Sequence, residues 1–190
     1  MAAVGLVLMS PVMTVAALLV RCSGRGPVIY RQQRVGRHGI PFELLKFRTM
    51  SAGSGAPLTV GRDPRITTVG HWLRLTKIDE LPQLVNVVKG DMSLVGPRPE
   101  VSRYVEQWPE DQRRHILSVR PGITDPASIY FRHEAHLLAR ADHPELFYVR
   151  EVLPLKVKMY SEYVSTKSLS GDLSILLGTL RALVRREGLA

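Results

Sequence analysis

The sequence predicts an α+β fold that is mostly helical, with an N-terminal membrane helix over residues 1–21 and a small domain over residues 22–190. The first 20 residues carry no charge, and a helix of ~20 apolar residues is long enough to span a hydrocarbon core of ~30 Å. Two strand-like stretches flank a glycine-bounded turn, which is typical of a β-hairpin. Apolar residues at helical spacing near the C-terminus indicate an amphipathic helix.

The composition indicates a folded domain with anionic partners. Of the 190 residues, 45% are hydrophobic and 23% are charged, which favours one compact domain and argues against disorder. Lys and Arg outnumber Asp and Glu by 26 to 17, giving a net charge of +9. Nucleic acid, anionic lipid and phosphorylated small molecules are the partners that such a charge attracts. The single cysteine, Cys22, excludes an intrachain disulfide.

The N-terminal segment lacks the basic n-region and cleavage site of a signal peptide. Near its midpoint lie Ser10 and Pro11. Proline removes a backbone donor, and a preceding hydroxyl can bond the freed carbonyl and favour a bend. The residues alone leave two alternatives open, an ordinary spanning helix and a bent helix that enters and leaves the same leaflet. Because the basic residues all follow this segment, the positive-inside tendency places the rest of the chain in the cytoplasm.

The domain is predicted element by element. Residues 28–35 and 41–47 are expected to be strands joined by a hairpin turn at residues 36–39. Residues 51–65 are rich in Gly, Pro and Ser and are expected to form a loop. The predicted helices are residues 68–75, 82–89, 101–118, 131–140 and 145–163.

A leucine stripe marks the C-terminal region as an amphipathic basic helix, suited to lie on a membrane surface or to pack on the core. The apolar positions are Leu173, Leu176, Leu177, Leu180, Leu183 and Val184, and the basic positions beside them are Arg181, Arg185 and Arg186.

Two adjacent carboxylates, Asp79 and Glu80, form the centre of the densest polar cluster, just before a helix that Pro82 opens. The partial positive charge of a helix N-terminus is expected to lower the pKa of a carboxyl and keep it ionised. An ionised Asp can act as a nucleophile, and a neighbouring Glu can hold Mg²⁺. Helix capping by acidic residues is the alternative.

Five arginines lie in or near rigid turns, several beside Pro or Gly: Arg48, Arg65, Arg74, Arg98 and Arg120. Arginine binds phosphate bidentately, and a diphosphate substrate needs several such groups around a nucleophile. Each of them could instead be a solvated surface charge. The motif HEAH at residues 133–136 is one residue short of a zinc-binding HExxH and is interpreted as surface decoration.

Seven motifs in order resemble those of the bacterial sugar transferases, the monotopic phosphoglycosyl transferases that prime glycan assembly. They are GPVIYRQ at 26–32, RVG at 34–36, KFRTM at 46–50, DPRIT at 63–67, DELPQ at 79–83, GDMSLVGPRPE at 90–100 and RPGIT at 120–124. The resemblance is dense over residues 5–125 and looser over the C-terminal third.

The resemblance implies a reaction, namely transfer of a sugar-1-phosphate from a UDP-sugar to undecaprenyl phosphate with release of UMP. Asp79 is expected to form a phosphosugar–aspartyl intermediate and Glu80 to be the partner of a Mg²⁺ cofactor. The resemblance also implies that Ser10 and Pro11 break the membrane helix, which favours the re-entrant path. Arg98 and Arg120 are implied to bind substrate phosphates, and the supporting active-site residues are Lys46, Arg48 and Arg74.

The expected partners are therefore a UDP-sugar donor, undecaprenyl phosphate and membrane lipids at the cytoplasmic face of the bacterial inner membrane, with a homodimer compatible. No nucleic-acid-binding motif is present, and nucleic acid is not expected. Exopolysaccharide, capsule and O-antigen synthesis are all compatible with this reaction, and the sequence does not identify which sugar is transferred. The sequence departs from the family pattern because it opens almost inside the apolar helix, without the further transmembrane helices of many relatives. The alternative is a non-catalytic peripheral protein that binds anionic lipid.

Overall fold

A computed structural model describes residues 2–51, 58–61 and 63–184 of the chain. Helix α1 covers Ala2–Cys22 and is long and apolar enough to cross a membrane. Its described buried residues are Ala16 and Val20, which pack with Phe47 and Leu73 of the domain. The rest of α1 is largely exposed apolar surface, so it contributes little to the protein core.

Helix α1 continues through Pro11. Pro11 has no N–H to give to the carbonyl of Val7, and the hydroxyl of Ser10 donates to that same carbonyl at 2.7 Å. The hydroxyl compensation expected from the sequence is therefore present. The re-entrant path of α1 stays a prediction.

The predicted hairpin is confirmed. Strand β1, Ile29–Val35, pairs antiparallel with strand β2, Pro41–Phe47, with Ile29 opposite Phe47. A 3₁₀ turn at Arg37–Gly39 joins the strands and contains the positive φ of 59° at His38. Residues 51, 58–61 and 63–65 of the predicted loop contain no helix or strand.

Two short helices frame the acidic pair. Helix α2, Thr68–Leu75, has the predicted bounds and begins where the hydroxyl of Thr67 accepts from the N–H of Gly70 at 2.9 Å. Helix α3, Gln83–Lys89, begins one residue after its predicted start and ends at Gly90, whose φ is 88°.

A second, parallel strand pair was not predicted. Strand β3, Ser93–Val95, pairs with strand β4, Gly122–Thr124, in the register Ser93 to Gly122. A Cβ on Gly122 would lie 2.1 Å from the backbone nitrogen of Gly96, so the approach of the two segments requires glycine. Strands of three residues are too short to show an alternating pattern.

Two predicted helices are divided in the structure, and a third is shorter than predicted. Pro109 separates the first into α4, Ser102–Val105, and α5, Glu110–Ile116, because proline cannot continue a preceding helix. Helix α6, Pro126–Tyr130, lies outside the predicted ranges, and the predicted helix at 131–140 is shortened to α7, Glu134–Leu138. The predicted helix at 145–163 is divided into α8, Pro144–Phe147, a π-helical turn, Tyr148–Val152, and α9, Leu153–Thr166. The largest core cluster lies among these elements and includes Trp108 and Tyr160.

Helix α10, Leu169–Val184, packs on the core through part of its leucine stripe, and its placement on a membrane surface stays a prediction. Leu176 packs against Val95 and Tyr163 of the domain. Leu173, Leu177 and Leu180 remain exposed, which leaves an apolar strip on the outside of the helix. Arg185 and Arg186 lie outside the described residues.

Candidate active site

The acidic pair lies in a 3₁₀ turn, Ile78–Glu80, between α2 and α3. The chain enters this turn through Lys77, whose φ of 57° and ψ of 13° are left-handed. Asp79 is 7% exposed and Glu80 is 9% exposed, so both carboxylates are withdrawn from bulk water. Burying a carboxylate costs free energy unless a cation or a hydrogen-bond donor compensates its charge. Asp79 and Glu80 differ in whether they have such a partner.

Glu80 is the paired member. It accepts from the ammonium of Lys46 on β2 at 3.1 Å, and from both terminal nitrogens of Arg98, at 2.5 and 3.4 Å. Burial alone would raise the pKa of Glu80, but the charges of Arg98 and Lys46 hold that pKa well below its usual range. Glu80 is therefore a carboxylate fixed by two cations that come from distant parts of the sequence.

Asp79 is the unpaired member. Its Oδ1 atom is buried and has no hydrogen-bond partner among the described residues. Burial, followed by the charge of Glu80, raises the pKa of Asp79, and Lys46, Lys77 and Arg74 oppose that rise. The expectation that the helix terminus lowers the pKa of Asp79 is therefore wrong. Burial outweighs the nearby positive charges, and the strongly lowered pKa belongs to Glu80.

Arg74 lies near the pair without a direct bond to it. Its Nε donates to the hydroxyl of Thr49 at 2.9 Å, and one terminal nitrogen donates to Thr59 at 3.4 Å. Burial lowers the pKa of Arg74, and the charge of Asp79 acts against that shift. The structure thus brings together Asp79, Glu80 and three of the predicted substrate-binding residues, Lys46, Arg74 and Arg98.

Arg48 and Arg120 lie apart from that group. The guanidinium of Arg48 is buried and donates to the carbonyls of Val20 and Gly24, both at 2.8 Å, where α1 ends. Arg120 is exposed, with its guanidinium beside Gly90. No hydrogen bond or ion pair in the described part of the chain joins either arginine to Asp79 or Glu80, and their roles in substrate binding stay predictions.

Sequence reasoning missed two acidic residues near Arg98. Asp125 is fully buried, accepts from the backbone N–H of Ser128 at 3.0 Å, and interacts electrostatically with Arg98. Glu100 accepts from Tyr148 at 2.8 Å and from Arg34 at 3.3 Å. The Asp-Pro pair at 125–126 is a helix-start signal, which predicts the cap but not the proximity to Arg98.

The residues of the acidic pair fit a magnesium ion only together with phosphate oxygens. Magnesium is usually held by one or two carboxylates plus substrate phosphates, and the unpartnered Oδ1 of Asp79 is an oxygen of the required kind. Both oxygens of Glu80 already accept hydrogen bonds, and no group of three or more metal-ligating side chains occurs among the described residues. A cation at Glu80 would therefore share that carboxylate with Lys46 and Arg98.

A buried acidic pair surrounded by lysines and arginines, together with a membrane-length helix among the described residues, is the kind of arrangement that enzymes acting on anionic substrates at a membrane have. Comparison with known families gives the particular group: the chain matches the bacterial sugar transferase family over residues 1–186 and belongs to it.

Named relatives support this assignment. The UDP-N-acetylgalactosamine-undecaprenyl-phosphate N-acetylgalactosaminephosphotransferase of Aeromonas hydrophila is 36% identical over 194 residues, covering 98% of this chain and 42% of that protein. The UDP-glucose:undecaprenyl-phosphate glucose-1-phosphate transferase of Escherichia coli is 41% identical over 155 residues, covering 77% and 33%. An enzyme of the same name from Caulobacter vibrioides is 37% identical, covering 95% and 65%. The chain thus spans less than two thirds of each relative's length.

Proposed function

We propose that the chain transfers a sugar-1-phosphate from a UDP-sugar to undecaprenyl phosphate and releases UMP. The observation that carries the proposal is the buried, unpartnered Oδ1 of Asp79 beside a Glu80 that two cations fix in place. The names of the relatives, which include both sugar nucleotides and undecaprenyl phosphate, agree with it.

Asp79 is the nucleophile in this proposal. Its Oδ1 forms a bond to the sugar-bearing phosphorus of the donor while the bond from that phosphorus to the UMP oxygen breaks. The phosphate oxygen of undecaprenyl phosphate then attacks the same phosphorus and displaces Asp79 as a carboxylate. Burial supports this role, because a carboxylate with few hydrogen bonds and a raised pKa is a stronger nucleophile once it is ionised.

The cations around the pair stabilise the charge that develops on the phosphates. Arg98 and Lys46 lie on one side at Glu80, and Arg74 lies near Asp79. Arg48 and Arg120 are proposed to assist from positions farther from the pair. A magnesium ion held by Glu80 and the donor's phosphate oxygens would neutralise part of the diphosphate charge.

Placement in the membrane completes the proposal. Helix α1 is proposed to be re-entrant, with Ser10 and Pro11 at its break, and the exposed leucines of α10 to lie in the lipid interface. The domain then faces the cytoplasm at the bacterial inner membrane, as a monomer or a homodimer. The product would start exopolysaccharide, capsule or O-antigen glycan assembly.

The test is release of UMP by protein purified in detergent, given Mg²⁺, undecaprenyl phosphate and a panel of UDP-sugars. We expect UMP from at least one donor, no UMP from Asp79→Asn, and none after chelation of the metal with EDTA. A folded wild-type protein that releases no UMP from any donor would contradict the proposal. Activity that persists in EDTA would contradict the proposed role of magnesium.

The second candidate is a peripheral lipid-binding protein without catalysis. The exposed leucines of α10 and the net charge of +9 favour it. It predicts binding to anionic vesicles that is unaffected by Asp79→Asn, with no UMP released by the wild-type protein. Turnover that Asp79→Asn abolishes excludes it.

A further inference from the structure

Lys77 has a backbone conformation that disfavours lysine. It is one of two non-glycine residues with positive φ in the described chain, and it links α2 to the turn that holds the acidic pair. The left-handed conformation is unfavourable for a residue with a Cβ, and Gly or Asn reduces that cost. The side chain of Lys77 is exposed and has no hydrogen bond or ion pair with any described residue. No hydrogen bond or ion pair of its side chain therefore offsets the backbone cost.

Lys77 nevertheless belongs to the group of cations around the acidic pair, because it adjoins the turn that holds the pair and interacts electrostatically with both carboxylates. The other cations of the group are Lys46, Arg74 and Arg98. Those three have side-chain partners, because Lys46 and Arg98 bind Glu80 and Arg74 binds Thr49. Within the described chain, Lys77 is thus the cation of this group that no side chain engages.

We propose that Lys77 binds a phosphate group of the substrate that reacts at Asp79. An exposed ammonium with three free donors is suited to a mobile anionic oxygen, and the left-handed turn starts its side chain two residues before the nucleophile. The inference rests on the proposed function. The phosphate could belong to the diphosphate of the sugar nucleotide or to the lipid phosphate, and the kinetics distinguish these two sources.

The substitution Lys77→Asn removes the ammonium and keeps a residue suited to the turn. Asparagine tolerates the left-handed conformation, so the variant should remain folded, which its melting curve checks. Loss of the charged contact should raise a KM about ten-fold, while kcat changes less. A rise in the KM for the UDP-sugar assigns Lys77 to the donor, and a rise in the KM for undecaprenyl phosphate assigns it to the acceptor.

Two controls separate this contact from general charge loss. Lys77→Arg keeps the charge and should keep both KM values within about three-fold of the wild-type values. Lys89→Asn removes an exposed lysine at the end of α3 and should leave both KM values unchanged. Unchanged KM values in Lys77→Asn, or an equal rise in Lys89→Asn, would overturn the assignment.

Failure of the proposed function is detected separately. If the wild-type protein turns over no donor, the reaction is wrong, and calorimetric binding of inorganic pyrophosphate tests Lys77 directly. Weaker pyrophosphate binding by Lys77→Asn than by wild type supports the phosphate contact. Equal or absent binding in both proteins overturns it.

Discussion

At the scale of single residues, the site depends on an unequal pair of neighbours. Asp79 has a raised pKa and an unpartnered oxygen, whereas Glu80 has a strongly lowered pKa and two cationic partners. The sequence predicts that both carboxylates belong to the site. It could not predict which one is paired, because Lys46 and Arg98 reach Glu80 across 34 and 18 residues of chain.

Asp79→Asn is expected to abolish turnover and to raise stability at neutral pH. The folded-state pKa of Asp79 lies above its unfolded value, so protonation favours the folded state, and stability is lost as pH rises through the folded pKa. The uncharged asparagine avoids that loss. Thermal unfolding measured from pH 4 to pH 8 should show that Asp79→Asn melts at a higher temperature than the wild type, by a difference that becomes smaller toward acid pH. A melting temperature of Asp79→Asn below that of the wild type at pH 7 would contradict the assignment of a buried, unpaired carboxylate.

Glu80→Gln is expected to lower stability, in contrast to Asp79→Asn. It leaves Lys46 and Arg98 without their carboxylate partner, which should lower the free energy of unfolding by about 3–5 kcal/mol at neutral pH. Because the folded-state pKa of Glu80 is lowered, this stabilisation is present above the unfolded pKa and disappears as pH falls through the folded pKa. Urea unfolding at pH 7 measures it, and a cost below 1 kcal/mol would show that solvent already screens these pairs.

At the scale of helices and strands, the sequence predicts the elements whose formation depends on residues close to them in the chain. The hairpin and α2 follow from turn and capping residues next to them, and both were predicted correctly. The prediction of one helix over residues 101–118 is wrong at Pro109, because a proline lacks the N–H that would continue the preceding helix. The β3–β4 pair could not be predicted, because its parallel register depends on the close contact of Gly96 with Gly122.

Pro11→Ala tests what sets the path of α1. The alanine N–H would bond the Val7 carbonyl that Ser10 now occupies, so the helix should straighten and span the membrane. A cysteine introduced by Ala2→Cys, with Cys22→Ser, should be labelled from the cytoplasmic side in the parent and be protected in the Pro11→Ala protein. Ser10→Ala, which keeps the proline, is the matched control. Labelling that does not change would mean that Pro11 does not set the topology.

At the scale of the whole molecule, a chain of buried and half-buried polar groups connects α7 and α9 to the active-site loop. Glu134 of α7 pairs with Lys156 of α9, whose ammonium donates to Tyr148 at 3.5 Å. Tyr148 donates to Glu100, which also binds Arg34 of β1. Glu100 follows Arg98 by two residues, so this chain of contacts holds the loop that positions Arg98 at Glu80.

Tyr148→Phe removes one link of this chain while keeping the ring. Glu100 and Lys156 each lose a buried hydrogen bond, which should cost about 1–3 kcal/mol of unfolding free energy and lower kcat through a less fixed Arg98. Urea unfolding and UMP release measure the two effects. Tyr130→Phe, at an exposed tyrosine, is the matched control. Equal stability and rate in both variants would show that the network does not support the site.

The central claim is that Asp79 carries the sugar phosphate between donor and acceptor. The most direct measurement is the intact mass of the protein after incubation with a UDP-sugar and no undecaprenyl phosphate. The account predicts a sugar-phosphate adduct on the wild-type chain that maps to Asp79, disappears when undecaprenyl phosphate is added, and never forms on Asp79→Asn. UMP release that occurs only with undecaprenyl phosphate present, and without any adduct on the protein, would contradict it and indicate direct transfer.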